Sequence, residues 1–409
     1  SILTVPQRRL KELKAELEKL RSGPLTDEAG DRQRILLMEI EENLEKEEIY
    51  WVQRSRANWL KFGDRNTSFF HNFASARKKR NYIKRLLDDS GVSRENNEAM
   101  RSLITEYFQH LFSAEVNVPA MNVITKVKRR VMDYMNESLM DPYTEEEVRK
   151  ALFSIGDLKA PGPDGLHAIF YKKFWHLLGG DLTKEVLAAV NTGTIPEGWN
   201  STTIVLIPKV DNPEKITQFR PISLCNVVYK VISKMLAARL KVFLPDIISE
   251  TQSAFVPGRI ITDNVIVAYE CLHTMKKRKK GKFGTCAIKL DMHKAYDRVE
   301  WVFLEAMLTK LGFHAQWIQM VMTCVRSVEY KVRFNSNETL PFSPTRGLRQ
   351  GDPLSPYLFL LCVDGLSALI AHEEEAGNLN GVQVCRDSPT ISHLLFADDS
   401  LILMRADVL

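Results

Sequence analysis

Two adjacent acids, Asp398 and Asp399, stand between two short apolar runs, His393 to Ala397 before them and Ser400 to Met404 after them. Runs of that length suit buried strands, and Asp is a common turn residue. The spacing therefore predicts a hairpin with both carboxylates at its tip. Such a tip is either an ordinary turn or a place to hold a divalent cation, because hard cations take carboxylate oxygens. A third acid at another strand end favours the second reading. Thr285 to Leu290 reads as a strand that ends in Asp291. Lys294-Ala295-Tyr296-Asp297-Arg298 then leads into a helix through Trp301, Leu304, Met307 and Leu311, stopped by Gly312. A carboxylate at a strand end just before a helix is well placed for a metal, and Tyr296, five residues on, is a candidate for the same site.

Four other stretches carry groups suited to a ligand. The loop Arg346 to Pro356 contains Gly347 and Gly351, which allow close backbone approach, with Gln350 between them. Asp352 or Ser355 can cap the helix that follows, with Pro353 or Pro356 at its first position, and that helix runs to about Glu375. The β-branched strand Ser201 to Ile207 leads to Pro208-Lys209, and the chain returns through Gln218 to Ser223. This reads as a two-stranded finger with Lys209, Lys215 and Arg220 near its tip, suited to a triphosphate or simply solvated. Arg54 to Arg85 carries ten Lys or Arg against the single acid Asp64, interleaved with Trp59, Phe62, Phe69, Phe70, Phe73 and Tyr82. Positive charge pairs with phosphates and exposed aromatics stack on bases. A basic solvated helix with core aromatics fits the composition equally well. Lys159 to Gly165, with two prolines and two glycines, is a stiff loop, either a linker or one that brings Lys159 to a phosphate.

Helices and strands must position these groups. Residues 1 to about 60 read as a helical hairpin, with Leu10, Leu13, Leu17 and Leu20 on one stripe, a break at Arg21 to Pro24, and a second helix from about Asp31 with Leu37, Ile40 and Leu44 inward. A packing arm is the preferred role. Asp88 to Gly91 reads as a tight turn between strands. The pattern from Asn97 to Lys150 is helical, with a basic cluster at Lys126 to Arg130 and a capping box of Thr144 and Glu147. Further helices are expected over Ala168 to Asn191 and Val227 to Leu244. Val328 to Phe334 reads as a strand, turned by Asn335-Ser336-Asn337 into a second that reaches Phe342.

The bulk numbers agree with a globular protein of two or three domains: 409 residues, 44% apolar, 26% charged, net charge +5. The six cysteines form no Cys-x-x-Cys pair, which argues against a zinc ribbon and for free thiols in a reducing compartment. The start is charged and helical, unlike a signal peptide. The most apolar stretch, Tyr357 to Ala371, contains Asp364 and is short for a bilayer, so no membrane contact is expected. The first residue is Ser and the last residues are still strand-like, so a fragment of a longer protein is expected.

In this order and spacing, the strings KAPGPDG, LIPK, FRPISL, LDMHKAYDRVEW, RGLRQGDPLSP and FADD resemble the reverse transcriptases of non-LTR (LINE-type) retrotransposons. WLKFGDRNTSFFH ahead of them fits the plant branch. The resemblance covers about Trp59 to Met404. It implies an α+β right-hand polymerase, with an antiparallel palm sheet backed by helices. The implied segments are a helical hairpin (1–58), a basic, mostly helical extension (59–150), fingers (151–284) and a truncated palm (285–409), with the thumb absent. Asp291, Asp398 and Asp399 would be the catalytic metal ligands for two Mg²⁺ ions, with Mn²⁺ as a substitute. Tyr296 matches the steric gate against a ribose 2′-OH, and Gln350 would lie against the incoming nucleotide. Lys209 and Arg220 match the fingers that hold the triphosphate, with Lys215 less certain. Lys159, Arg77, Lys78, Lys79 and Arg80 would track the template. The implied partners are an RNA template, a DNA primer or target site and dNTPs, and the implied location is nucleus or cytoplasm. Lacking thumb, endonuclease, RNase H and zinc knuckle, the chain is expected to synthesise weakly or without processivity. The competing readings are a catalytically dead, truncated RNA-binding remnant, and an RNA-dependent RNA polymerase or intron maturase sharing the palm. Tyr296 argues against the RNA polymerase.

Overall fold

A computed structural model describes residues 5–23, 26–55, 67–114, 121–278 and 284–406. The chain divides into two compact units, residues 1–84 with 208–213, and residues 85–207 with 214–409. Parts of two basic stretches, residues 56–66 with Trp59 and Phe62, and residues 279–283, lie outside the described residues, as do the side chains of Phe69 and Phe70.

The first unit contains α1 (Val5–Arg21), α2 (Asp27–Ser55) and α3 (Thr67–Asn81). Leu10, Leu13 and Leu17 bury against Leu36 and Ile40, flanked by Leu20 and Leu44. The inward residue of α2 is thus Leu36, not Leu37, which is 41% exposed. The reason is phase: 36, 40 and 44 lie four apart on one stripe, whereas Leu37 is turned by about 100°. The helix also starts earlier than Asp31. Thr26 Oγ1 accepts the Ala29 N–H at 3.2 Å, and Asp27 and Glu28 place negative charge in the first turn.

In the second unit, β1 (Leu86–Leu87) and β2 (Ser93–Arg94) form a small hairpin around the expected Asp88–Gly91 turn. Next come α4 (Asn97–Leu111), α5 (Met121–Ile124), α6 (Asp133–Met140) and α7 (Glu145–Phe153). The capping box of α7 is present as expected, and Glu147 also receives Arg239. The expected single helix after Ala168 is two, α8 (Ala168–Lys173) and α9 (Trp175–Thr192), broken at Phe174. The order continues β3 (Ser201–Pro208), β4 (Phe219–Cys225), α10 (Val227–Ile247), α11 (Ile261–Lys277), β5 (Gly284–Asp291), α12 (Trp301–Leu311), α13 (Ala315–Arg326), β6 (Glu329–Phe334), β7 (Asn337–Glu338), α14 (Ser355–Glu375), β8 (Val382–Gln383), β9 (Thr390–Ile391), β10 (His393–Phe396) and β11 (Asp399–Ala406).

This is a mixed helix-and-sheet fold. One sheet has the order β10-β11-β5 and is antiparallel throughout. The other has the order β4-β3-β6-β7, with β3 and β6 parallel. The β6–β7 turn places Asn335 and Ser336 at positive φ, as a tight two-residue hairpin requires. The second strand stops early and reaches Phe342 only as a single bridge to Tyr330. Thr339 Oγ1 takes the Val332 N–H at 3.0 Å, a place in the ladder otherwise filled by backbone, and Pro341 has no N–H to offer.

The core is built largely from α10, α12 and α14, including Leu236, Leu240, Leu304, Leu308, Leu358, Phe359 and Leu361. Among the described helices, α14 alone is long and apolar enough to cross a membrane, but 67% of its apolar window is buried inside the fold. Its Asp364 is buried and accepts from Arg130 at 2.8 Å and from the Ser249 hydroxyl at 2.6 Å. Of the basic cluster at Lys126–Arg130, Arg130 is therefore turned inward, while Lys128 pairs with Glu375 at 2.9 Å on the surface. No disulfide links the cysteines; Cys225, Cys271, Cys324 and Cys362 are buried free thiols.

His393 opens β10 with its ring between Thr251, Ser367 and Ser392 hydroxyls at 2.9, 3.1 and 2.9 Å. Burial pushes the imidazole down from 6.5 to about 4, with Asp364 pulling weakly the other way. The neutral ring is thus favoured in the folded state. The unfolded chain takes up its proton first, so stability is complete above about pH 6.5 and falls as the pH drops from there through about 4, by up to about 3 kcal/mol. Urea unfolding at pH 7 and pH 5 is expected to show about 2 kcal/mol of this loss in the wild type and a flatter profile in His393→Asn.

Candidate active site

The three acids read from the sequence lie at one end of the β10-β11-β5 sheet. Phe396 pairs with Asp399 across the hairpin, leaving Ala397 and Asp398 as its two turn residues. Ala397 is held at φ 52°, and its N–H donates to Gln252 Oε1 at 3.0 Å. A left-handed alanine is unfavourable by about 1 kcal/mol, and that hydrogen bond helps to hold it. Asp399 opens β11 directly opposite Asp291, the last residue of β5. The Met292 N–H reaches the Asp398 carbonyl at 3.4 Å, which ties the two strand ends together. Lys289 lies two residues before Asp291, on the same face of the strand, and its ammonium pairs with Asp399 at 3.0 Å. That contact, with the field of Asp291, raises the Lys289 pKa. Tyr296 is partly buried and stacks on Phe359, with centroids 4.6 Å apart and planes 17° apart. Burial, and then the charge of Asp398, pushes its hydroxyl up to about 12. Among the described residues, no three acidic, His or Cys side chains converge closely enough to form a metal cluster.

The glycine-rich loop is locked to the turn that follows Asp291. Gly347 N–H donates to Val299 O at 2.8 Å and Leu348 N–H to Tyr296 O at 2.7 Å. Trp301 Nε1 donates to Gly347 O at 2.8 Å, and Arg346 pairs with Glu300 at 3.1 Å. Both glycines are required by contact as well as by conformation. At Gly347 (φ +95°) a Cβ would lie 2.8 Å from Asp297 O, and at Gly351 (φ +120°) 2.9 Å from Ser223 O. Gln350 O accepts the Ser223 N–H at 2.9 Å, and its side-chain Nε2 donates to Asp297 Oδ1 at 3.0 Å. Beneath the loop, Arg349 and Asp352 form a buried pair at 2.9 Å. Arg349 also bonds Asn200, Tyr229 and Cys324 O, while Asp352 accepts from Tyr229 and Ser233. Asp352 and Ser355 are not the cap of α14: the cap position is Leu354, whose N–H bonds Asp352 and Ser233, and Ser355 is already helical.

Residues 207–407 match the family described as reverse transcriptase (RNA-dependent DNA polymerase). Over these residues the chain belongs to the reverse transcriptase family. Similarity to proteins of non-LTR retrotransposons extends further, to about 86% of the chain. A 149 kDa protein of transposon TX1 from Xenopus laevis is 31% identical over 351 residues, covering 86% of this chain and 26% of that protein. The Pol polyprotein of retrotransposable element R2DM from Drosophila melanogaster is 27% identical over 243 residues, 59% of this chain and 22% of that one. An uncharacterized mitochondrial protein of Arabidopsis thaliana is 60% identical over 58 residues, 14% of this chain and 48% of that protein. The chain thus spans about a quarter of the length of its transposon relatives.

The reverse transcriptase domain and its flanks carry the remaining sequence candidates. Arg220 is exposed on β4, whereas Lys209 belongs to the first unit with residues 208–213. Lys159 is exposed on a loop fastened to the start of α10: Lys230 Nζ donates to Ala160 O at 3.2 Å, and Asn226 accepts the Asp164 N–H at 3.3 Å. Arg77, Lys78, Lys79 and Arg80 lie along the last turns of α3, where Arg80 pairs with Asp211 at 3.4 Å. Phe73 and Tyr82 near them are exposed, not core. Two residues escaped the sequence reading: Gln252, which holds the acid turn, and Asp297, which holds Gln350. Asp297 sits beside Arg298 like any surface pair, and its one clue is its place right after Tyr296.

Proposed function

We propose that this chain carries out RNA-directed DNA synthesis for a non-LTR retrotransposon, by two-metal nucleotidyl transfer to a primer 3′-OH. The observation that carries this reading is the pairing of Asp399 with Asp291, which puts three carboxylates at one sheet end beside Tyr296. The donor set suits Mg²⁺ or Mn²⁺, since carboxylate oxygens are the ligands such hard cations prefer. The Lys289 ammonium paired with Asp399 at 3.0 Å supports this reading, as a cation drawn to the same carboxylate. Asp291, Asp398 and Asp399 would hold the ions, which when bound neutralise charge on the attacking and leaving oxygens.

The other roles belong to the chain's own groups. The Tyr296 ring, wedged by Phe359, crowds the sugar and disfavours a 2′-OH. Gln350 borders the nucleotide, and Arg220 binds the triphosphate. Lys159, Arg77, Lys78, Lys79 and Arg80 follow the template backbone, with the exposed Tyr82 ring nearby to stack on a base. The partners are then an RNA template, a DNA primer or target site and dNTPs, in nucleus or cytoplasm. In this reading the functional segments would be hairpin, extension, fingers and palm.

Single-nucleotide extension of a DNA primer on an RNA template, with dNTPs against rNTPs, tests the reading. Extension with dNTPs that a chelator stops is the expected result; ribonucleotide addition in its place would contradict it. Tyr296→Ala is expected to raise rNTP use relative to dNTP roughly 10-fold or more.

A further inference from the structure

We infer that Asp297 is a positioning residue that fixes the polarity of the Gln350 amide, so that Gln350 meets the incoming nucleotide as a hydrogen-bond acceptor. The inference rests on the polymerase reading and deepens it. Asp297 is 3% exposed, and its Oδ1 lies 3.0 Å from Gln350 Nε2. An ionised carboxylate can only accept, so the nitrogen end of the amide must face it. The carbonyl oxygen occupies the other arm of the same planar group. It is left for a donor on the ligand, a hydroxyl or an exocyclic amine.

The frame around this contact leaves little freedom. Asp297 is held by its own N–H to Lys294 O at 3.0 Å, in the single turn of 3₁₀ helix Tyr296–Arg298. On the other side, Gln350 is held by the Ser223 N–H, and its loop by Leu348 N–H to Tyr296 O. Gly347 lets the loop backbone approach Asp297 O itself. Tyr296 and Asp297 are consecutive, so one short turn places both the ring that crowds the sugar and the carboxylate that aims the amide. A freely rotating amide would offer donor or acceptor with similar ease; a fixed one selects ligands by the sign of their hydrogen bond.

The test is dNTP binding to the full 409-residue chain, with an RNA template and a DNA primer lacking its 3′-hydroxyl, so that no bond forms. Asp297→Ala is expected to weaken dNTP binding about 10-fold, the scale of one charge-assisted hydrogen bond. Asp297→Asn keeps an acceptor in place and is expected to stay within about 3-fold of wild type by the same scale. If Asp297 acts through Gln350, the double variant Asp297→Ala/Gln350→Ala binds no more weakly than Gln350→Ala alone, a coupling that a general loss of stability does not produce. Additive losses, or unchanged binding in Asp297→Ala, would overturn the inference while leaving the polymerase reading intact. No dNTP binding by the wild-type chain would overturn both.

Discussion

Asp398→Asn is expected to lower nucleotide incorporation by at least ~10³-fold, because a metal ligand contributes several kcal/mol to transition-state charge and each 1.36 kcal/mol is tenfold in rate. The substitution keeps the shape of the side chain and removes its charge. Asp398 sits in the hairpin turn, and among the described residues its side chain has no hydrogen bond or ion pair that Asn would break. RNA binding and the unfolding midpoint should therefore be unchanged. Single-turnover extension measures the first, and filter binding and urea titration the others. Near-normal extension by the variant would remove Asp398 from the reaction. The same change at Asp399 should cost less, since this acid is already half shared with Lys289.

The second large effect concerns stability. Arg349→Ala is expected to destabilise the chain by about 3–5 kcal/mol, the usual cost of leaving one member of a buried ion pair behind. Both side chains of the Arg349–Asp352 pair are only 4% exposed. Without the guanidinium, Asp352 would keep Tyr229 and Ser233 as donors but lose its counter-charge, and Asn200 Oδ1 and Cys324 O would lose a hydrogen-bond donor. Arg349 also lies over the Tyr229 ring, 4.1 Å from its centroid. Arg349→Lys should recover little, since an ammonium cannot serve partners spread around a planar fork. The check is the urea midpoint at constant m-value. A shift under 1 kcal/mol would mean that water or a rearranged loop takes over the arginine's role. Because this network lies directly under Gln350, nucleotide binding should weaken together with stability.

These two cases show what sequence reading reaches. That Asp291, Asp398 and Asp399 share one sheet end was legible because apolar runs mark a strand before Asp291 and a hairpin around the other two, although each acid by itself is an ordinary turn or strand-end residue. The α7 cap and the Asp88–Gly91 turn were legible because their partners lie within a few residues. Leu36 against Leu37 was not, since adjacent leucines fit either helical phase until the partner helix chooses one. Nor was the early end of the strand after Asn337, which depends on a Thr339 hydroxyl entering the ladder. Gln252, Asp297 and the Arg349–Asp352 pair were hidden for a different reason. The first two act across contacts between segments distant in sequence, and the third is a local pair whose burial is set by α10, α13 and the β3 entry. Asp352 in particular reads as a helix cap in a glycine-rich loop, yet it and Arg349 are among the most buried charged groups described.

The most direct measurement of the central claim is the binding of Mn²⁺, followed by electron paramagnetic resonance, to the chain loaded with an RNA template, a DNA primer lacking its 3′-hydroxyl and the matching dNTP. Two-metal chemistry predicts two bound ions in the wild type, and loss of that binding when Asp291 and Asp398 are both Asn. Equal Mn²⁺ binding by wild type and variant would show that these carboxylates do not form the metal centre and would contradict the account.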